Sequence, residues 1–283
     1  MNNRREFMQV TAASLAALAA SKFLNAATHR PIGAQIYTVR DQAEVDLPTV
    51  LEKIHKIGYQ EVEPYWNVYT HSASDLKKII NDHGLRAPSG HFNYEKLNDS
   101  SIEYAKTLGL EFLICPMLPD DMWTSLDGFK RAADFYNAYG QKVRKAGMKF
   151  GHHNHDYEFR PFGDTTGLAT LLKLTDPDLV CLEMDCYWVT QAGQDPLQLL
   201  KQYPDRIKLL HLKDRKPGFP PSFDMEASSS HFTEVGAGTI DWKHVIPAAE
   251  ANGVHHFFVE RDSGDLPPFE SLRVSFDNLQ KIA

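Results

Sequence analysis

The sequence predicts an α/β protein of the (β/α)8 barrel class, and three observations carry the prediction. Short apolar runs alternate with longer stretches whose apolar residues recur at helical spacing, eight times over about 250 residues, the usual extent of such a barrel. The runs are apolar on both faces, as strands of a parallel sheet covered by helices must be. Glycines follow five of the helical stretches, at Gly58, Gly84, Gly109, Gly147 and Gly253, where a helix end often needs a left-handed residue. An open doubly wound sheet is the alternative, but it seldom has eight regular units, and no G-x-G-x-x-G turn follows the first run.

In chain order, residues 32–38 (IGAQIYT) form the first strand and 47–57 the first helix. Residues 59–63 (YQEVE) alternate and form the second strand, with a helix over 73–83. The third strand, 85–91, ends in a histidine, and its helix is 101–108. The fourth strand is 111–117 (EFLICPM), followed by a long helix over 126–146. Strand five covers 148–153 and the next helix 166–174. Strand six is 179–185; its helix, 195–203, has Pro196 in a first-turn position. Strand seven is 206–212. A long polar loop, 215–237, follows and in a barrel lies over the site as a flap. The helix over 241–252 has Asp241 as its cap; strand eight (256–260) and a helix over 267–282 complete the set.

The N-terminus is read as an export signal. Arg4 and Arg5 precede Glu6-Phe7-Met8 and a small apolar run from Thr11 to Ala20, an order that resembles a twin-arginine signal over residues 1–27. The run is too short to span a membrane, and no Cys follows it, so neither a transmembrane nor a lipoprotein anchor is expected. The expected location is the periplasm, with one barrel domain over 28–283. The alternative is an ordinary amphipathic helix. A net charge of −7 argues against a nucleic-acid or anionic-membrane partner. The three cysteines, Cys115, Cys181 and Cys186, lie in or beside apolar runs and are read as buried free thiols. Cys186, beside Asp185, is a lesser candidate for a soft metal ligand. A homo-oligomer is compatible with the chain, whose sequence does not fix the state.

Four strands end in ligand-type residues: MKFGHHNHDYEF (148–159), LVCLEMD (179–185), IKLLHLKD (207–214) and HFFVERD (256–262). One such end is often only a helix cap. Four in succession place side chains at the carboxyl rim of a parallel barrel, where barrel sites lie. His153, Asp185, His211 and Glu260 are therefore expected to face one point. Two imidazoles and two carboxylates suit Mn²⁺, Zn²⁺, Co²⁺ or Fe²⁺ better than Ca²⁺ or Mg²⁺. The plain alternative for the histidine run is a solvated loop.

At these residues the chain resembles the xylose isomerase-like TIM barrels, often named sugar phosphate isomerases/epimerases. The carrying motifs are GAQIYTVRD (33–41), GYQEVE (58–63), LEMDCYWV (182–189), HLKD (211–214), EVGAGTIDW (234–242) and FVERD (258–262). The resemblance implies a divalent metal held by Glu, Asp, His and Glu from strands five to eight. Asp185, His211 and Glu260 match the last three. His153 stands in the seat of the first glutamate, which in the family's epimerases is one of two acid/base groups; Trp188 stands where some epimerases carry a histidine.

With that resemblance, Glu260 is the expected base, because one oxygen can ligate while the other takes a proton; a pure ligand is its alternative. Lys213 is expected to stabilise an enolate oxygen, or else to be a surface lysine. His155 is expected to orient Glu158 or the substrate. Glu63 and His91 are candidates for holding substrate hydroxyls, and Trp66, Trp123, Tyr187 and Trp188 for apolar walls. The expected activity is metal-dependent isomerisation or epimerisation of a sugar or keto-sugar through an enediolate. Elimination from a 3-keto-glycoside or an inosose-like substrate is the alternative, favoured by export because the periplasm is poor in sugar phosphates. A non-catalytic sugar-binding barrel is the third reading.

Overall fold

The computed structural model describes residues 30–225 and 230–282. The signal read at residues 1–27 lies outside the described residues, as do positions 226–229 of the long loop. Eight parallel strands carry the fold: β1 (Ile32–Gln35), β2 (Glu61–Glu63), β3 (Ser89–His91), β4 (Phe112–Cys115), β5 (Lys149–His153), β6 (Val180–Asp185), β7 (Ile207–Leu212) and β8 (His256–Val259). Their order in the sheet is β2-β1-β8-β7-β6-β5-β4-β3. The last seam, between β2 and β3, closes through residues flanking the strands. Val62 N–H donates to Arg86 O at 2.9 Å, and His91 N–H to Pro64 O at 2.9 Å. The chain is thus the nearly closed barrel that the alternation predicts.

The covering helices are α1 (Leu47–Ile57), α2 (Ala73–Asp82), α3 (Asp99–Leu108), α4 (Leu126–Lys145), α5 (Gly167–Leu174), α6 (Pro196–Gln202), α7 (Trp242–Ala251) and α8 (Pro268–Ile282). Local chemistry explains their ends. Asp46 accepts the Thr49 N–H at the start of α1, and Asn98 with Ser101 forms a reciprocal capping box on α3. Gly109 ends α3 at φ 95°, where a side chain would be strained. Asp241 stands at the cap of α7 as expected, but its carboxylate bonds no backbone N–H of the helix; it pairs with the His244 side chain in the first turn, at 2.6 Å from Nδ1. No helix among the described residues is long and apolar enough to cross a membrane.

The barrel interior has two halves. Phe112, Ile114, Cys181, Leu209 and Phe258 fill the amino-terminal half as one apolar plug. Gly33 makes room for it, since a Cβ there would sit 2.4 Å from the Phe258 ring. The carboxyl half is polar and fully buried. It holds Gln35, Glu63, His153, Glu183, Asp185 and His211. The strands are shorter than the sequence suggests. β1 turns into a 3-10 helix at Ile36–Val39, and a helix over Cys186–Gln191 starts directly after β6. The long loop is anchored by a short antiparallel pairing of Asp214–Arg215 with Phe232–Thr233. All three cysteines are free and buried.

Candidate functional site

The site is set by where each strand ends. Asp185 closes β6 and caps the helix that follows, its Oδ1 accepting the Trp188 N–H at 3.0 Å. Asn154, just past β5, clamps the Asp185 backbone: its Oδ1 accepts the Asp185 N–H at 3.1 Å. Asp185 Oδ2 is left buried with no hydrogen-bond partner. In register, Asp185 pairs with His211 across β6–β7, while His153 pairs with Glu183 across β5–β6. His211 Nδ1 lies 2.7 Å from Glu260 Oε2 and 4.0 Å from Asp185 Oδ2, and His153 Nε2 lies 3.7 Å from Asp185 Oδ2. Donor atoms of Asp185, His211 and Glu260 all fall within 4.8 Å of one another, with His153 at the edge of that group.

Lys213, two residues past His211, has its ammonium in the middle of three carboxylates. Nζ is 2.8 Å from Glu260 Oε2, 3.2 Å from Asp185 Oδ2 and 3.0 Å from Asp262 Oδ1. It is fully buried rather than a surface lysine. Burial works to lower the Lys213 pKa, but the three carboxylates hold it well above the usual lysine value. Burial likewise works to raise Glu260, yet Lys213 and His211 bring it well below the usual carboxylate range. Burial raises Asp262 to about 6 against the pull of Lys213. Burial and the nearby His211 hold His153 well below the usual imidazole value, whereas burial works to lower His211 but Glu183 and Glu260 hold it well above that value.

A second polar layer lies beneath. Glu183 Oε2 meets His91 Nε2 at 2.7 Å, His153 Nδ1 at 3.2 Å and His211 Nε2 at 3.3 Å. Glu63 Oε2 meets His211 Nε2 at 2.7 Å and accepts Gln35 Nε2–H at 2.7 Å. Glu63 therefore does not reach the cavity as a holder of hydroxyls; it lies one layer below the floor. His91 does line the cavity, with its Nε2 turned down toward Glu183 and Glu63.

Above the metal-type donors is a cavity of about 320 Å³. Glu260, Lys213, His153, His155, Trp66 and Trp188, all named from the sequence, line it together with Met225 of the long loop. Trp188 Nε1 and His155 Nδ1 are buried without a hydrogen-bond partner, so both can meet substrate oxygens. Glu158 is oriented by the His155 backbone N–H at 2.9 Å and by His152 Nε2 at 2.9 Å, rather than by the His155 ring. Trp123 and Tyr187 stay outside the cavity, Trp123 against Tyr157 and Tyr187 stacked on Phe232. Asp262, Tyr37 and Tyr65 line it and escaped the sequence reading. Asp262 had a signal, since it follows Glu260 by two residues in FVERD.

The residues fit a divalent cation. Two carboxylates and two imidazoles are the donor set of a borderline-soft transition ion. Asp185 Oδ2, buried amid them, has no hydrogen bond of normal geometry; its near neighbours are the Lys213 ammonium at 3.2 Å and the two imidazoles at 3.7 and 4.0 Å, which leaves it a lone pair to give an ion. No cysteine belongs to either of the two donor groups found among the described residues, so Cys186 is not gathered with them.

Known proteins share this architecture. A family model described as the xylose isomerase-like TIM barrel matches residues 51–282. The inosose dehydratase of Lacticaseibacillus casei is 30% identical over 266 residues, covering 80% of this chain and 86% of the relative. A sugar phosphate isomerase/epimerase from Parabacteroides distasonis ATCC 8503 has a solved structure that superposes with a TM-score of 0.73 at 28% identity, covering 90% of this chain and 96% of that one. The IOLI protein, solved with a bound zinc atom, shares the fold at a TM-score of 0.69 and 16% identity, over 89% of this chain and 97% of its own.

Proposed function

This chain belongs to the xylose isomerase-like TIM barrel family, and from that premise we propose that it is a metal-dependent lyase of the dehydratase type. Its substrate is a keto-sugar or an inosose-like keto-polyol. The observation that carries the choice is the one-sidedness of the acid/base groups. Glu260 and Asp262, the carboxylates that open on the cavity, both come from the end of β8. On the β3–β6 side the lining is His91, Asn93, Pro116, Met117, His153, His155 and Trp188, with no carboxylate. Epimerisation needs a proton removed on one face and returned on the other, and this cavity offers a carboxylate on one side only. The dehydratase relatives at about 30% identity favour the same branch.

His153, Asp185, His211 and Glu260 would hold the ion, with Zn²⁺, Mn²⁺, Co²⁺ and Fe²⁺ as candidates. When bound, it supplies positive charge to the substrate's carbonyl and adjacent oxygen, which makes the α-proton more acidic. The protein's own groups do the rest. Glu260 takes the α-proton, and the C–H electron pair moves toward the carbonyl as an enolate. Lys213, 2.8 Å from Glu260, faces the growing negative charge. The pair then returns to form the C=C bond as the β C–O bond breaks. The leaving oxygen takes the proton back from Glu260, so the net change is loss of water or an alcohol. Trp66 and Trp188 supply ring-sized apolar walls.

Isomerisation is the second reading, because Glu260 could also return the proton to the neighbouring carbon on the same face. Incubation of metal-loaded protein with a panel of keto-sugars and inososes in D₂O decides. Exchange at the α-carbon with an unsaturated product supports the lyase. Exchange with an isomeric product supports the isomerase. Neither exchange nor turnover on any substrate leaves a sugar-binding barrel. We also propose export by the twin-arginine route, on the order of Arg4-Arg5, apolar run and small residues.

A further inference from the structure

We infer that Glu183 and Glu63 are positioning residues for the metal centre: Glu183 fixes the tautomer of His153, and Glu63 that of His211. The inference rests on the metal reading above. An imidazole that ligates through one nitrogen carries its proton on the other, and an acceptor on that side decides which is which. His153 turns Nε2 toward Asp185 Oδ2 (3.7 Å) and Nδ1 toward Glu183 Oε2 (3.2 Å). His211 turns Nδ1 toward Glu260 (2.7 Å) and Nε2 toward Glu63 Oε2 (2.7 Å). The two rings thus offer opposite nitrogens upward and hand the remaining N–H to a carboxylate below.

The placement follows from the strands. Glu183 is two residues before Asp185 on β6, so it points the same way one layer deeper. Glu63 is held from the neighbouring strand by Gln35 Nε2–H at 2.7 Å. His91 ties the two carboxylates together, with Nε2 at 2.7 Å from Glu183 and 3.2 Å from Glu63, and its ring stacks on His211 at 5.2 Å. Glu63 Oε1 and Glu183 Oε1 are buried without partners, so Oε2 of each takes the whole imidazole load.

A rival is that His91, His153, Glu183 and His211 themselves hold an ion, since their donors also lie within 4.8 Å of one another. Asp185→Asn separates the two sets: an ion held by His91, His153, Glu183 and His211 survives that change, whereas one that Asp185 ligates is lost.

The test uses the full chain, with Zn²⁺ as the probe. Zinc per chain is measured by elemental analysis, and affinity by chelator competition, for wild type, Glu183→Gln, Glu63→Gln and Asp185→Asn. The expected result is one zinc per chain in wild type and in both Gln variants, with affinity weakened about 10–100-fold in each Gln variant and binding lost in Asp185→Asn. Nitrogen-15 spectra of the zinc-loaded wild type should place the proton on Nδ1 of His153 and Nε2 of His211, a readout that needs no variant to fold. Reversed tautomers, unchanged affinity in both Gln variants, or a Gln variant as empty as Asp185→Asn would overturn the inference. So would two zinc ions per wild-type chain. A wild type that takes up no zinc, manganese, cobalt or iron overturns the metal reading itself, and the inference falls with it.

Discussion

Asp214→Asn should loosen the loop that closes the cavity. Asp214 Oδ2 accepts three N–H groups: Gly236 at 2.9 Å, Gly238 at 3.2 Å and Trp242 Nε1–H at 2.7 Å. Oδ1 accepts two more, from Arg215 at 2.8 Å and Ile240 at 3.2 Å. Asparagine keeps one acceptor oxygen, and its NH₂ must face the donors of the other. Whichever way the amide turns, at least two bonds become donor against donor. At about 1.5–3 kcal/mol for each bond to an ionised carboxylate, that is about 3–6 kcal/mol. Water reaching the glycine N–H groups offsets part of it, so a loss of about 3 kcal/mol is expected, or about 6–12 °C in Tm for a domain of this size. Because Met225 of the same loop lines the cavity, KM should rise with the destabilisation. The assay is denaturant unfolding at pH 8, where the carboxyl is ionised, with KM on the same preparation. A variant within about 0.5 kcal/mol of wild type, the ordinary range of a surface substitution, would refute the reasoning that this carboxylate is the hub of the loop.

Asp156 is buried with neither oxygen in a hydrogen bond of normal geometry, and burial, then Glu158, raises its pKa to about 7. An acid with a raised folded pKa binds its proton more tightly when folded, so stability falls as pH rises from about 4 to 7. Asp156→Asn should therefore gain over wild type at pH 8, by at most about 4 kcal/mol, with the gain fading toward pH 4; a gain independent of pH contradicts this. Asp185→Asn and His211→Ala should each lose bound metal on elemental analysis, and retention of a full equivalent by either would remove it from the donor set. Arg4→Lys with Arg5→Lys should hold the protein in the cytoplasm on fractionation; normal export of the double variant would point to a general secretory signal.

Most of the fold was legible because barrel strands and helices announce themselves locally. Strand ends were less so. β2 and β3 are only three residues each, since their outer parts pair through the single bridge of Glu61 with Arg86, a tertiary fact that no local pattern carries. At the site, reading the strand ends picked out Asp185, His211 and Glu260, whose donor atoms the fold brings within 4.8 Å of one another. It could not find Glu183, which hides inside an apolar run and matters only because alternate residues share a face at different depths. The same blindness to depth put Glu63 among substrate contacts. Its strand stops short, so its carboxylate meets His211 from below. Aromatic walls were half legible: Trp66 and Trp188 lie past strand ends and line the cavity, while Tyr187 turns away into the packing against Phe232.

Proton transfer by Glu260 beside a bound metal is the central claim, and Glu260→Gln tests it most directly. Metal content, substrate affinity and turnover should be measured on one preparation. The Gln oxygen still ligates weakly but takes no proton. The account predicts that some metal and most substrate affinity remain while turnover falls about 10²–10⁴-fold, the usual loss on removing a general base. Full metal occupancy with near-normal turnover would contradict it and move the base to Asp262 or His155, the next titratable groups on the cavity wall.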